Sequence, residues 1–275
     1  QFTNNSYDDM KMAPLCTIIP KYVLEGIIEK GTVPQHIINR CQSTIDQTKQ
    51  LHDARGSHGQ SVVAAQQRTS QGIVPPYILE SIARDAATDQ QREAARHTLA
   101  QTEHRVVAGH VRHLKRTVYD AHPPPYDKPL IVEGGELLSE VVDPTKNANE
   151  CYIGLGKTYD FYFKFFQRCS IDDKGMELDG FVHAGDLYNA YWDGSRLVFG
   201  DGDDVIFNGF TDELDVIDHE LSHGVVQYTS PFDYEFQSGA LNESLADAFG
   251  IMVKQWGQDT PQTAKQSDWL IREGI

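Results

Sequence analysis

His219-Glu220-Leu221-Ser222-His223, with Glu243 twenty residues further on, restricts what this 275-residue chain can fold into more than any other feature. Residues four apart share one helical face, so both imidazoles reach a common point only if the segment is helical. Neutral imidazole nitrogens at that spacing, joined by a carboxylate from another element, form the three protein ligands of a catalytic zinc site and leave its fourth position for water. Glu220 follows the first ligand and lies beside that open position, where a general base belongs. The fold must therefore press the element that carries Glu243 against the one that carries the histidines.

The second element is readable too. Gly239-Ala240-Leu241-Asn242-Glu243-Ser244-Leu245-Ala246-Asp247 has helical apolar spacing and no breaker after its first residue. Asp247 falls one turn after Glu243 on the same face. A carboxylate there can accept the other N–H of a zinc-bound histidine, fixing its tautomer and raising its basicity.

Both motifs, together with Asn189-Ala190-Tyr191-Trp192-Asp193-Gly194 and Phe199-Gly200-Asp201-Gly202-Asp203, resemble the thermolysin-like zinc endopeptidases, in their protealysin-like branch, over residues 118–275. The resemblance implies an α+β fold: a helical propeptide, then a lobe with a twisted, mainly antiparallel sheet from about Ile131 to Phe207 and two zinc-binding helices. It implies hydrolysis of internal bonds in a peptide or protein substrate, with Glu220 as the base and one zinc ion. Further implied roles are a grip on the substrate backbone by the Asn189 side chain and the Ala190 carbonyl, and a donor to developing negative charge from Tyr234. Asp215 matches a carboxylate of the family's double-calcium site, but Lys254 stands where another would be, so no calcium pair is expected. The family's helical C-terminal lobe and its histidine donor are expected to be absent after Ile275, leaving low activity in the chain as given and apolar surface for a missing lobe or a partner.

Independently of the resemblance, Gly180-Phe181-Val182-His183 and Asn189-Ala190-Tyr191-Trp192 read as strands. An edge strand beside a metal can hold an extended peptide by strand addition. Tyr191 and Trp192 are expected in the core, and His183 in a structural role.

Charge is divided unevenly. Residues 1–117 carry 14 Lys and Arg against 11 Asp and Glu, whereas residues 118–275 carry 10 against 29. A mildly basic segment before a strongly acidic one suggests mutual attraction, and the acidity argues against nucleic acid as a partner. The sequence contains no eighteen-residue apolar run, so no membrane partner is expected. A secreted location is the expectation, although the chain opens at Gln1 without a charged segment leading into an apolar one. Cys151 and Cys169 flank a segment read as a core helix, too long for a disulfide between them.

The first third contains a repeat. Cys16-Thr17-Ile18-Ile19-Pro20-Lys21-Tyr22-Val23-Leu24-Glu25-Gly26-Ile27 recurs at an offset of 55 as Gln71-Gly72-Ile73-Val74-Pro75-Pro76-Tyr77-Ile78-Leu79-Glu80-Ser81-Ile82. Each copy reads as an extended, proline-set segment followed by two helices. Polar Ser43 to Gln71 reads as a linker, giving units at 1–70, 71–117 and 118–275. The second copy resembles the short precursor segment of protealysin-like zymogens, which implies an intramolecular inhibitor in the cleft, cut away near Arg112 to Thr117 after a helix ending at Val111–Arg116. The first copy fits a duplicated inhibitory unit, a binding module or a remnant. Cys16 suits either a thiolate that caps zinc or a small buried residue. Two functional classes stand: a zinc metalloendopeptidase precursor, and a non-catalytic zinc-binding relative that inhibits or binds a partner.

Overall fold

The computed structural model describes residues 18–62, 76–103, 112–122, 128–139, 144–185, 187–232, 236–260, 262–267 and 269–275. Helix α1 (Lys21–Lys30) starts after Pro20, whose φ of −59° is preset by its ring, and stops at Gly31. There a φ of 59° turns the backbone left-handed, and the Gly31 N–H donates to the Ile27 carbonyl at 3.3 Å. Helix α2 (Gln35–Val62) follows. It overturns the linker expectation for Ser43 to Val62; residues 63–71 lie outside the described residues. Side chains one turn apart support this polar helix: Gln35 with Asn39, Gln42 with Asp46 and Gln47 with Ser43. Such bonds support a helix without the apolar periodicity by which helices are usually recognised.

Helices α3 (Pro76–Asp85) and α4 (Asp89–Glu103) form the second hairpin. Thr88 and Gln91 close a reciprocal cap at the start of α4: the Gln91 N–H donates to Thr88 Oγ1 at 3.2 Å, and the Thr88 N–H to Gln91 Oε1 at 3.3 Å.

Five strands make the sheet, in the order β2-β1-β3-β5-β4: β1 (Arg116–Asp120), β2 (Pro129–Val132), β3 (Leu178–Val182), β4 (Ala190–Trp192) and β5 (Leu197–Phe199). The antiparallel character expected from sequence is carried by the outer pairs β1–β2 and β4–β5, while β1–β3 and β3–β5 are parallel. The sheet starts at Arg116, earlier than Ile131, and the boundary drawn at residue 117 falls inside β1. Nor do residues 113–115 end a helix. Leu114 is buried, and the Lys115 carbonyl accepts from the Leu178 N–H at 2.9 Å, extending the sheet edge upstream.

Helix α5 (Pro144–Phe166) packs on the sheet and supplies Cys151, Tyr152, Leu155 and Tyr159 to the main core. Cys151 and Cys169 are both buried and reduced. Helix α6 (Leu214–Thr229) runs through the interior, buried along Asp215–Gly224, and α7 (Phe236–Trp256) lies against it. Ile18, Ile19, Leu24, Ile37 and Cys41 belong to the same core as Val118, Trp192 and Leu221, so the first repeat copy packs as part of the lobe.

The α6–α7 contact depends on Gly250. A Cβ there would lie 2.7 Å from the Asp215 backbone oxygen. Gly250→Ala must push two backbones apart, and a loss of about 1–3 kcal/mol in urea unfolding is expected, with weaker metal retention because the two helices carry the site between them.

Candidate metal centre

The position of each predicted ligand follows from the two helices. His219 and His223 leave the buried face of α6 one turn apart, and Glu243 faces them from α7. Their ligand atoms all lie within 4.8 Å of one another. His219 Nε2 is 3.0 Å from His223 Nε2, and the Glu243 carboxylate stands 3.4 Å from the first and 3.6 Å from the second.

The outer ring nitrogens are both engaged. His219 Nδ1 lies 3.0 Å from Asp247 Oδ1, and His223 Nδ1 lies 3.0 Å from Asn242 Oδ1. Both oxygens can accept from an Nδ1–H, the tautomer that leaves each Nε2 free for a metal. The two Nε2 atoms and the Glu243 carboxylate converge in a buried space. Two imidazoles and one carboxylate are a zinc donor set. The residues fit the metal.

Burial disfavours the Asp247 charge, but the hydrogen bond from His219 and the nearby Arg272 outweigh it, holding its carboxyl below the usual range. Arg272 Nη2 donates to Asp247 Oδ1 at 2.5 Å and sits 3.1 Å from His219 Nδ1. Glu220 is fully buried, and its Oε2 accepts from the Trp192 N–H at 2.8 Å. The carboxylate next to the ligands is thus held by the backbone of β4, the sheet's edge strand.

Asn189 and Ala190 are buried at the start of that strand. The Asn189 side chain is engaged from within the chain: its Oδ1 accepts from the Ile18 N–H at 2.9 Å. The first repeat copy therefore reaches this residue, although the sequence reading gave the covering role to the second. Two further contacts hold it, the Tyr188 N–H donating to Thr44 Oγ1 at 2.8 Å and Arg40 Nη1 to the Gly202 carbonyl at 3.2 Å. Arg40 also lies over the Tyr188 ring. Trp192 is buried, with Nε1 donating to Gln227, whereas Tyr191 is half-buried. His183 Nδ1 pairs with Asp201 at 2.9 Å. Cys16 and Tyr234 lie outside the described residues.

Sequence reasoning passed over Asn242, Arg272 and the grip of Thr44 and Arg40. Asn242 had a signal, since it precedes the ligand Glu243 on the same helix. Arg272 had none, being far along the chain from Asp215, His219 and Asp247.

A family model for the thermolysin metallopeptidase catalytic domain matches residues 84–227, and one for that family's alpha-helical domain matches residues 230–275. The chain belongs to the thermolysin metallopeptidases. Among relatives of this thermolysin-type chain, an extracellular metalloprotease of Pectobacterium carotovorum is 44% identical over 207 residues, covering 72% of this chain and 59% of the relative. Protease PrtS of a Photorhabdus species is 37% identical over 229 residues, with 76% and 59% covered. The solved precursor of protealysin, a metalloproteinase from Serratia proteamaculans, matches with a TM-score of 0.54 and 40% identity over 74% of this chain and 61% of that one. The chain spans 59% of the length of the two curated relatives.

Asp247→Ala removes the acceptor that fixes His219. An affinity for zinc lower by about 10–100-fold is expected in a chelator competition; unchanged affinity would show that Asp247 does not orient the ligand.

Proposed function

We propose that this chain is the precursor of a secreted zinc metalloendopeptidase that hydrolyses internal peptide bonds, with its N-terminal segment as an intramolecular inhibitor. The observation that carries this reading is the convergence of His219, His223 and Glu243 with both Nε2 atoms turned inward, beside a carboxylate that is not one of the three. Family membership and the extracellular metalloprotease relative add support.

In this reading His219, His223 and Glu243 hold the zinc ion, and Asp247 and Asn242 fix the two rings. Bound zinc supplies a water of lowered pKa and polarises the substrate carbonyl. The remaining tasks belong to the chain. Strand β4 lies at the sheet's edge, where its outer backbone groups can pair with an extended peptide. The Asn189 side chain and the Ala190 carbonyl grip that peptide's backbone. Glu220, oriented by the Trp192 N–H, takes a proton from the attacking water and delivers it to the leaving amine. Tyr234 donates to the oxygen on which negative charge develops. While Ile18 donates to Asn189 Oδ1, that grip is unavailable to a substrate. Removal of the segment before Arg112 makes it available. A cut upstream of Arg116 keeps β1 whole.

The reading also excludes a calcium pair at Asp215. Lys254 Nζ lies 3.3 Å from Glu213, 3.2 Å from Glu273 and 4.0 Å from Asp215. Burial works against the ammonium charge, but Asp215 and Glu213 outweigh it and raise its pKa. A covalently attached cation thus stands among the carboxylates.

Glu220→Gln separates metal binding from catalysis. With the segment before Arg112 removed by limited proteolysis, the variant should keep its zinc, and casein cleavage should fall by about 10²–10⁴-fold; cleavage at the parent rate with zinc bound would refute the assignment. Added calcium should leave the thermal midpoint unchanged, while Lys254→Ala should cost about 1–3 kcal/mol by removing the cation beside the buried Asp215 carboxylate. A stabilisation by calcium of the parent chain that saturates would overturn the exclusion.

A further inference from the structure

Residues 112–117 set three cations after which trypsin-like peptidases cut, Arg112, Lys115 and Arg116, at the entry to the lobe. The Arg112 and Lys115 side chains are exposed, which invites cleavage. Side-chain exposure does not decide the matter, because bonds are nicked where burial and hydrogen bonding leave the main chain free. Here they do not. The His113 N–H donates to Tyr159 Oη on α5 at 2.9 Å. Leu114 is buried in the main core, and the Lys115 carbonyl accepts from the Leu178 N–H at 2.9 Å. From Arg116 onward the chain is strand β1, held by β2 on one side and β3 on the other.

Arg112, the outermost of these residues, is fastened by its side chain. Its Nε donates to Asp160 Oδ1 at 2.8 Å and its Nη2 to Asp160 Oδ2 at 3.3 Å. The guanidinium carbon lies 5.8 Å from the centre of the Tyr159 ring. The two charged side chains are 51% and 41% exposed, and solvent screening leaves such a pair little weight. Tyr159 differs. It is 2% exposed, its ring belongs to the main core, and its hydroxyl also meets Cys169 Sγ at 3.8 Å. The lobe therefore holds the acceptor for the His113 N–H in place by itself. The His113 ring lies beside Gly175, where a Cβ would come within 3.5 Å of it.

We propose that Tyr159, aided by Asp160, is the stop for removal of the N-terminal segment. It pins the main chain at His113, so that the bonds from Arg112 to Thr117 escape cleavage and β1 keeps its anchor. The limit is thus set by α5, 46 residues further along, and not by the sequence around the spared bonds. It persists after the segment has gone, because Tyr159 and Asp160 belong to the lobe. Trimming past His113 would take from the lobe the buried Leu114 and the bond between Lys115 and Leu178. Strand β1, which joins β2 to β3, would then fray from its start. The sequence reading set the cut between Arg112 and Thr117; the stop moves it upstream. That a segment is removed at all rests on the peptidase reading. The protection of these bonds does not.

Trypsin supplies the cut independently of the chain's own chemistry, and a Glu220→Gln background silences any cleavage by the chain itself. Digestion of the full chain, followed by mass spectrometry, reads products that begin at His113, Arg116 or Thr117. They should form at least about tenfold more slowly than from the same chain unfolded in urea. Tyr159→Phe keeps the ring in the core and removes the acceptor. It should speed the cut after Arg112 by about three- to tenfold, because cleavage follows how often the segment opens. Asp160→Asn should speed it by less than about threefold. The bond after Arg116 should stay as slow as in the parent, since the sheet holds it. If Tyr159→Phe does not fold, amide exchange in the parent replaces it, with the His113 amide at least about tenfold slower than in the unfolded chain. Ready cleavage after Arg112 in the folded parent would overturn the proposal, as would no acceleration by Tyr159→Phe or an unprotected His113 amide. So would a cut after Arg116 that rises in step with the one after Arg112, since the variant would then be unfolding as a whole.

Discussion

Everything at the centre hangs on the close approach of two helices, α6 and α7, at Gly250. The missing side chain lets one backbone settle on the other near Asp215, four residues before the first histidine. That close approach keeps α7 near α6, where Glu243 faces His219 and His223. It also buries a run of polar groups that a helix would ordinarily keep in water. Asp218 is enclosed completely, and burial lifts its carboxyl to about 7. It meets Ser222 Oγ, which in turn reaches Tyr162 Oη at 2.6 Å. The interior of α6 therefore mixes polar groups with the core side chains Val216, Ile217 and Leu221.

Much of the site was legible because its chemistry is local in sequence. The i, i+4 spacing of the histidines and the helix around Glu243 translate directly into geometry. The edge position of Asn189-Ala190-Tyr191-Trp192 was legible from alternation. What escaped was whatever depends on long-range pairing. The parallel contact of β1 with β3 joins residues about sixty positions apart, and nothing in Arg116-Thr117-Val118-Tyr119-Asp120 announces a central strand. The polar stretch after Ser43 misled for the opposite reason. Glutamine-rich composition suggested a linker, while its side chains close hydrogen bonds along a helix.

The repeat places two versions of one entry segment in the chain. Paired prolines in the second copy match the precursor pattern, and residues 71–75 lie outside the described residues. The first copy makes contacts that its entry motif does not announce, since Ile37 and Arg40, a helix later, bury an apolar side chain in the lobe's core and bond Gly202.

Glu220 Oε2 is anchored by a main-chain N–H. Every amino acid except proline offers that donor, so the anchor is separate from the side chain that carries it. The indole of Trp192 faces the main core and donates to Gln227. One residue thus ties the core to the carboxylate by two independent routes, and proline at position 192 would cut both.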